Sequence, residues 1–325
     1  MNKKIRIGIV GYGNLGKGAE LAVKQSSDME LVAVFSRRDL GVTLSGAPAV
    51  SIRDAEQYKD KIDVMMLCGG SATDLVEQGP QFAAMFNTVD SFDTHARIPE
   101  YFESMNKTAK AAGKASAISI GWDPGLFSLN RMLAGAVLPQ GADHTFWGKG
   151  VSQGHSDAIR RIEGVKDAKQ YTVPKQEIMD IVRSGKDSSV PANEAHTREC
   201  YVVAERGADL AAIEKAIKTM PNYFVGYETK VNFVSEEEFR KHHSAIPHGG
   251  FVFRTGETSP GVKQVIEFAL KLDSNPEFTA SVLTAYARAV SRLAGHGFTG
   301  ACTVFDIPPG WLSPKSADEL RSELL

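Results

Sequence analysis

Short apolar, β-branched runs alternate with amphipathic stretches through the first third of the chain. Ile5-Arg6-Ile7-Gly8-Ile9-Val10 predicts a buried strand, and Gly16 to Gln25 a helix with Leu21 and Ala22 on its apolar side. Further strands are predicted over Glu30 to Phe35, Asp63 to Cys68, Asn87 to Asp90 and Lys114 to Ile120, with a helix over Pro99 to Ala112. Strands alternating with helices predict an α/β fold whose parallel sheet is covered on both faces. Right-handed crossovers make such a sheet doubly wound, of the Rossmann type.

Beyond Asp123 the pattern changes. Phe127 to Leu138 reads as an amphipathic helix, and His144 to Gly148, Lys169 to Val173, Glu199 to Ala204, Lys230 to Val234 and Gly250 to Arg254 as strands. Helices are predicted at Leu210 to Thr219, Glu236 to Lys241 and Ala280 to Leu293. Less regular spacing suggests a second, α+β domain built on an open mixed sheet. The expected division is 1–121 for the dinucleotide-binding domain, with 295–325 returning to it, and 122–294 for the second domain.

Composition excludes more than it selects. With 37 basic and 39 acidic side chains the net charge is −2, so no global field draws the chain to nucleic acid or anionic lipid. Arg6 interrupts the first apolar run, which is too short for a signal-peptide core, and no segment approaches the ~20 apolar residues of a membrane helix. Cys68, Cys200 and Cys302 are odd in number and far apart, as expected for reduced thiols in a cytoplasmic protein.

Gly11-Tyr12-Gly13-Asn14-Leu15-Gly16 follows a predicted strand and opens a predicted helix, the context a dinucleotide fingerprint requires. Gly11 permits the tight turn, Gly13 admits a pyrophosphate to the helix N-terminus, and Gly16 allows close helix–strand packing. At the end of the second strand an acidic residue would select NAD. Here Ser36-Arg37-Arg38 stands instead, and guanidinium groups suit the 2′-phosphate of NADP. NADP is therefore the expected cofactor; a solvated basic turn is the alternative.

Chemistry on such folds lies beyond the carboxyl ends of the strands. Gly69 to Thr73, Asp90 to His95 and Trp122-Asp123 should all lie there. Two carboxylates, Asp93 and Asp123, suggest an amine substrate, since a ketone or alcohol would call for a His or Lys proton donor. Each carboxylate could instead be a turn or cap residue. The second domain adds Gln153, Gly154, Thr172, Arg198, His248 and Asn275. A buried arginine needs an anionic partner, which a substrate carboxylate or a structural salt bridge could supply. His242, His243 and His248 lack the Cys or paired carboxylates of a metal site, and no metal is expected.

The strings GYGNLG, FSRR, CGGSATD, SFDTH, GWDPG, TFWGKGVSQGHSDA, MPNYFVGYE, PHGG and LDSNPEFTA occur in that order over nearly the whole chain. Together they resemble the meso-diaminopimelate dehydrogenases. The resemblance implies reversible NADP-dependent oxidative deamination at the D-centre of meso-2,6-diaminopimelate, in lysine and peptidoglycan-precursor synthesis. It implies cofactor contacts from Gly11 and Tyr12 through Leu15 (including Gly13 and Asn14), from Ser36, Arg37 and Arg38, and from Cys68, Gly69, Gly70 and Ser71. Ser91, Phe92 and Asp93, and Ile120, Gly121, Trp122, Asp123 and Pro124, complete that set. It places the reacting centre near Asp93, Trp122 and Asp123, with Gln153 and Gly154 close by. The distal L-centre falls to Thr172, Arg198, His248 and Asn275, with Trp147 lining the pocket. It also implies at least a homodimer, built through the second domain.

Three other readings compete. Dihydrodipicolinate reductases carry a His-His pair followed by a lysine, but no lysine follows Lys241-His242-His243 within the next ten residues. Sugar oxidoreductases of the glucose–fructose type use a Glu-Lys-Pro lysine, whereas the matching region here reads Asp90-Ser91-Phe92-Asp93. A non-catalytic NADP-binding regulator would have little use for the polar constellation.

Overall fold

The computed structural model describes residues 3–186 and 191–325. Its contacts divide into two compact units, one running up to Leu129 and resuming over Pro276–Leu325, the other Asn130–Asn275.

In the first unit β1 (Ile5–Val10), β2 (Met29–Ser36), β3 (Ala49–Ser51), β4 (Val64–Leu67), β5 (Asn87–Asp90) and β6 (Ala115–Ala117) join the C-terminal strand Gly300–Cys302 in one sheet. All its pairings are parallel, and the order from one edge is β3, β2, β1, β4, β5, β6, Gly300–Cys302. The first six follow the dinucleotide-fold order, which reverses between β1 and β4. Alternation within β4 shows why its run is wholly apolar. Val64 and Met66 pack on one face with the helices Asn14–Gln25 and Asn275–Gly295, whereas Met65 and Leu67 pack on the other with Val76–Ala83 and Ile98–Ala112. Strands buried on both faces have no polar side to show.

The crossings between units differ from the expected 121 and 295. Most of the helix Asn275–Gly295 belongs to the first unit, where Ala280, Leu283, Tyr286 and Val290 share a core with Ile7, Ile9 and Met66. An apolar stripe predicts a helix but does not say which sheet it covers.

The second unit holds two sheets where one was expected. β7 (Gly141–Trp147), β12 (His248–Ser259) and β13 (Val262–Leu272) form an antiparallel three-stranded sheet in the order β13, β12, β7. β8 (Gly150–Val151), β9 (Val165–Pro174), β10 (His196–Ala204) and β11 (Glu228–Phe233) form the mixed sheet in the order β11, β10, β9, β8. Its core is Ala168, Cys200 and Val202 against Ile159, Ile213, Ile217 and Phe224. No helix among the described residues is long and apolar enough to cross a membrane.

Candidate active site

Every segment of the first unit expected at the site follows the carboxyl end of a strand. Gly11 turns the chain out of β1 at φ 88°, its N–H donating to Phe35 O at 2.9 Å. A Cβ at Gly16 would lie 2.0 Å from Gly11 O, so the helix Asn14–Gln25 starts hard against the turn. A Cβ at Gly13 would meet no protein atom within 4 Å, and no side chain caps the helix there. Open space before uncapped, positively polarised N–H groups fits a pyrophosphate.

The arginine turn carries an ion pair that the sequence did not suggest. Ser36 Oγ accepts from Arg38 N at 3.0 Å and shapes the turn. Arg37, largely exposed, ion-pairs with Asp74 Oδ1 at 2.7 Å, and Asp74 Oδ2 accepts from Gly70 N at 3.0 Å. Tyr12 donates to Glu20, a buried carboxylate that also accepts from Ser45 N at 2.5 Å; Leu44 N donates to Tyr12 Oη at 2.8 Å. These bonds tether the loop after the arginines to the helix after the glycines.

The loops after β5 and β6 carry the expected carboxylates. Asp93 is exposed, and its N–H donates to Ser71 Oγ at 2.8 Å. Trp122 is buried, edge-on to Phe127 at 5.2 Å, and accepts from Phe127 N at 2.8 Å. Asp123, half-buried, follows it and joins Pro124 through a cis peptide. Cys68, Phe92 and Ile120 turn their side chains into the core.

In the second unit strand register assembles the predicted group. Arg198 on β10 lies opposite Thr172 on β9, and Thr172 opposite Gly150 on β8. A Cβ at Gly150 would come within 2.5 Å of the His248 ring, so glycine is required for that approach. Asn275 N donates to Ile246 O at 3.1 Å, two residues before His248. Gln153 and Gly154 open the helix Gln153–Arg160, whose cap Ser152 donates through its N–H to Gln170 O at 3.0 Å, two residues before Thr172. Trp147 ends β7, and its N–H donates to His196 Nε2 at 2.9 Å.

Arg198 is the electrostatic anomaly of this group. It is buried, donates to Thr172 Oγ1, and lies 4.1 Å from the Tyr227 ring centroid. Its Nε has no hydrogen-bond partner, and no carboxylate among the described residues lies within ion-pair distance. Burial holds the guanidinium below its ordinary pKa, partly opposed by Tyr227. Among the described residues, no structural salt bridge holds it there.

Two groups, half-buried His155 and buried Asp90, give stability opposite pH slopes. Burial, with the Arg198 charge, pushes His155 down to about 4, while burial pushes Asp90 up to about 6. The His155 contribution is present above its unfolded pKa near 6.5 and is lost as pH falls toward 4. The Asp90 contribution is present below its unfolded value near 3.8 and is lost as pH rises through 6. Urea unfolding between pH 7 and 4 should show His155→Gln shrinking the loss on acidification and Asp90→Asn deepening it.

Among the described residues no group of three or more His, Cys, Asp or Glu is arranged for a metal. His243 instead stacks on Tyr201 at 3.9 Å and shares a hydrogen bond with Tyr171 Oη at 3.0 Å. The three cysteines are free and buried, their thiols raised to about 12 by burial.

A family model described as Diaminopimelic acid dehydrogenase C-terminal domain matches residues 121–274. The meso-diaminopimelate D-dehydrogenase of Ureibacillus thermosphaericus is 62% identical over 324 residues, covering 99% of each chain. The chain belongs to the meso-diaminopimelate D-dehydrogenase family. Among solved structures, the Corynebacterium glutamicum DAP dehydrogenase in complex with DAP superposes with a TM-score of 0.92 at 46% identity, covering 99% of this chain and 100% of that one. An engineered D-amino acid dehydrogenase bound to NADP+ gives 0.87 at 45% identity, with the same coverage.

Several residues that sequence reasoning did not single out as site candidates support those that it did. Glu20, Asp74, Asp90, Tyr101, His196 and Tyr227 each hold a predicted residue or its loop. Asp90 carried a signal, a carboxylate where a buried strand stops, and Asp74 and Tyr227 lie within the strings CGGSATD and MPNYFVGYE.

Proposed function

We infer that this chain catalyses the reversible NADP-dependent oxidative deamination of meso-2,6-diaminopimelate at its D-centre. The products are L-2-amino-6-oxopimelate, which cyclises to tetrahydrodipicolinate, ammonium and NADPH, in cytoplasmic lysine synthesis. Arg198 carries the reading. A buried cation without an acidic partner among the described residues suits a substrate carboxylate, and family membership supplies the amine chemistry. Thr172, His248 and Asn275 complete the polar set for the L-centre, with Trp147 as its wall. Gln153 and Gly154 lie toward the D-centre.

When bound, the nicotinamide accepts hydride from the D-centre carbon. The remaining work belongs to side chains. The D-centre ammonium must lose a proton before hydride can leave, and Asp123, or a water it holds, takes that proton. Asp93 shares the charge of the amine, and Trp122 supplies the apolar floor. Orientation contributes more than the base, because a well-placed reactant removes most of the entropic barrier. Incubating the protein with NADP and meso-diaminopimelate while following nicotinamide absorbance tests the reading, and no reduction would overturn it.

Arg37 and Arg38 read the 2′-phosphate in this proposal, Arg37 by exchanging Asp74 for it. Each charge-assisted hydrogen bond lost should cost about 1.5–3 kcal/mol. Replacing both by Ala should therefore raise KM for NADP by about 10²-fold or more while KM for NAD changes little. Equal losses for both cofactors would remove the arginines from that role. The enzyme is further proposed to be at least a homodimer through its second unit, which sedimentation equilibrium measures directly.

A further inference from the structure

Asp90 ends β5 and is fully buried, yet among the described residues no cation answers its charge. Its partners are neutral donors from three segments. Oδ1 accepts from Phe92 N at 3.0 Å and from Ser119 N at 3.1 Å, and Oδ2 accepts from Tyr101 Oη at 2.8 Å. Its carbonyl accepts from Ile120 N at 2.8 Å. Phe92 N opens the loop that carries Asp93, while Ser119 N and Ile120 N belong to the segment that runs into Trp122 and Asp123. Ser119 sits at φ 57°, a left-handed conformation that a serine holds only when its surroundings fix it. Tyr101 comes from the helix Ile98–Ala112, and its ring stacks on Phe92 with centroids 4.1 Å apart. Burial raises this carboxyl, so its ionised form is held against its own solvation preference.

We propose that Asp90 is a positioning residue. Its carboxylate clamps the Asp93 loop to the Trp122–Asp123 loop and so sets where the D-centre is presented for reaction. The proposal rests on the reading above that those loops serve the D-centre.

Asp90→Ala removes the clamp. Asp90→Asn keeps the shape, since its Oδ1 can accept from both backbone N–H groups and its amide can donate to Tyr101 Oη. With meso-diaminopimelate, Asp90→Ala should lose about 10²-fold in kcat, the cost of a ~1 Å misplacement. Asp90→Asn should stay within about tenfold of the parent enzyme. Binding of 2′,5′-ADP, a probe of the other end of the cofactor site, should change less than about threefold in both, as expected for a change confined to loops that do not bind the adenine end. The primary isotope effect with substrate deuterated at the D-centre Cα should rise in Asp90→Ala, since a misplaced reactant slows the chemical step. A folded Asp90→Ala enzyme with kcat within about threefold of the parent, or one that loses 2′,5′-ADP binding and kcat together, would overturn the proposal. If Asp90→Ala does not fold, Tyr101→Phe decides, because it frees one carboxylate oxygen. A lower kcat with a raised isotope effect upholds the clamp, and unchanged values overturn it. Failure of the functional reading itself would show separately, as a parent enzyme inactive on meso-diaminopimelate.

Discussion

Replacing Arg198 with Met is expected to lower kcat/KM for meso-diaminopimelate by about 10²-fold or more, mostly through KM. The figure follows from two charge-assisted hydrogen bonds to the distal carboxylate, each worth about 1.5 kcal/mol at the low end. The same change should not destabilise the protein. Arg198 is buried with an unpartnered Nε and no carboxylate within ion-pair distance among the described residues, so an apolar side chain of similar length relieves a cost. Simple D-amino acids have no distal carboxylate, and for them the loss should vanish or become a gain. Steady-state kinetics on both substrate classes, with a thermal melt of each protein, test these outcomes together. Parallel losses on both classes with a lowered Tm would make Arg198 a structural residue.

The contrast between Arg198 and Asp90 shows which parts of the site were legible in the sequence. Local patterns were readable: β1 and β5 have the bounds their residues predict, and the glycine turn opens a helix directly after a strand. The sheet order between them follows from right-handed crossovers. Long-range register was not readable. The pairing of Arg198 with Thr172 depends on two strands separated by a helix-rich stretch, and no local signal records it. β13 was missed because Val262-Lys263-Gln264-Val265-Ile266-Glu267 is largely exposed on both faces and shows no clean alternation. It is held as a strand chiefly by the ladder to β12. Asp90 was passed over in favour of Asp93 because burial is decided by Tyr101, which arrives from the next helix. The polar residues named from sequence are those proposed to meet a ligand. Those left unnamed support them through tertiary contacts, some within the core (Asp90, Tyr101, His196) and some nearer the surface (Asp74, Tyr227).

The stereochemistry of the substrate allows a stricter test of how the two sets of residues divide their work. Diaminopimelate carries an aminocarboxylate at each end of a three-methylene spacer, so the ends differ only in configuration. If Thr172, Arg198, His248 and Asn275 accept only an L-configured end, the D-centre is left to Asp93 and Asp123. The rigidity needed for such a choice is present within the second unit: β9, β10 and β8 fix Thr172, Arg198 and Gly150 in register, and the His248 ring closes on Gly150. The L,L isomer can still anchor one end, but its other end then presents amine, carboxylate and hydrogen in the wrong order around Cα. A site built for one arrangement loses about 10²-fold for a displacement of ~1 Å, and an inverted centre displaces more than that. Turnover of L,L-diaminopimelate should therefore be negligible beside that of the meso isomer. With meso substrate deuterated only at the D-centre Cα, the oxidised product should have lost its label and kcat/KM should show a primary isotope effect. With the label at the L-centre, the product should retain it at the parent rate. Label lost from the L-centre would reverse the assignment of the two ends, and comparable rates on the L,L isomer would show that the Arg198 group does not read configuration at all.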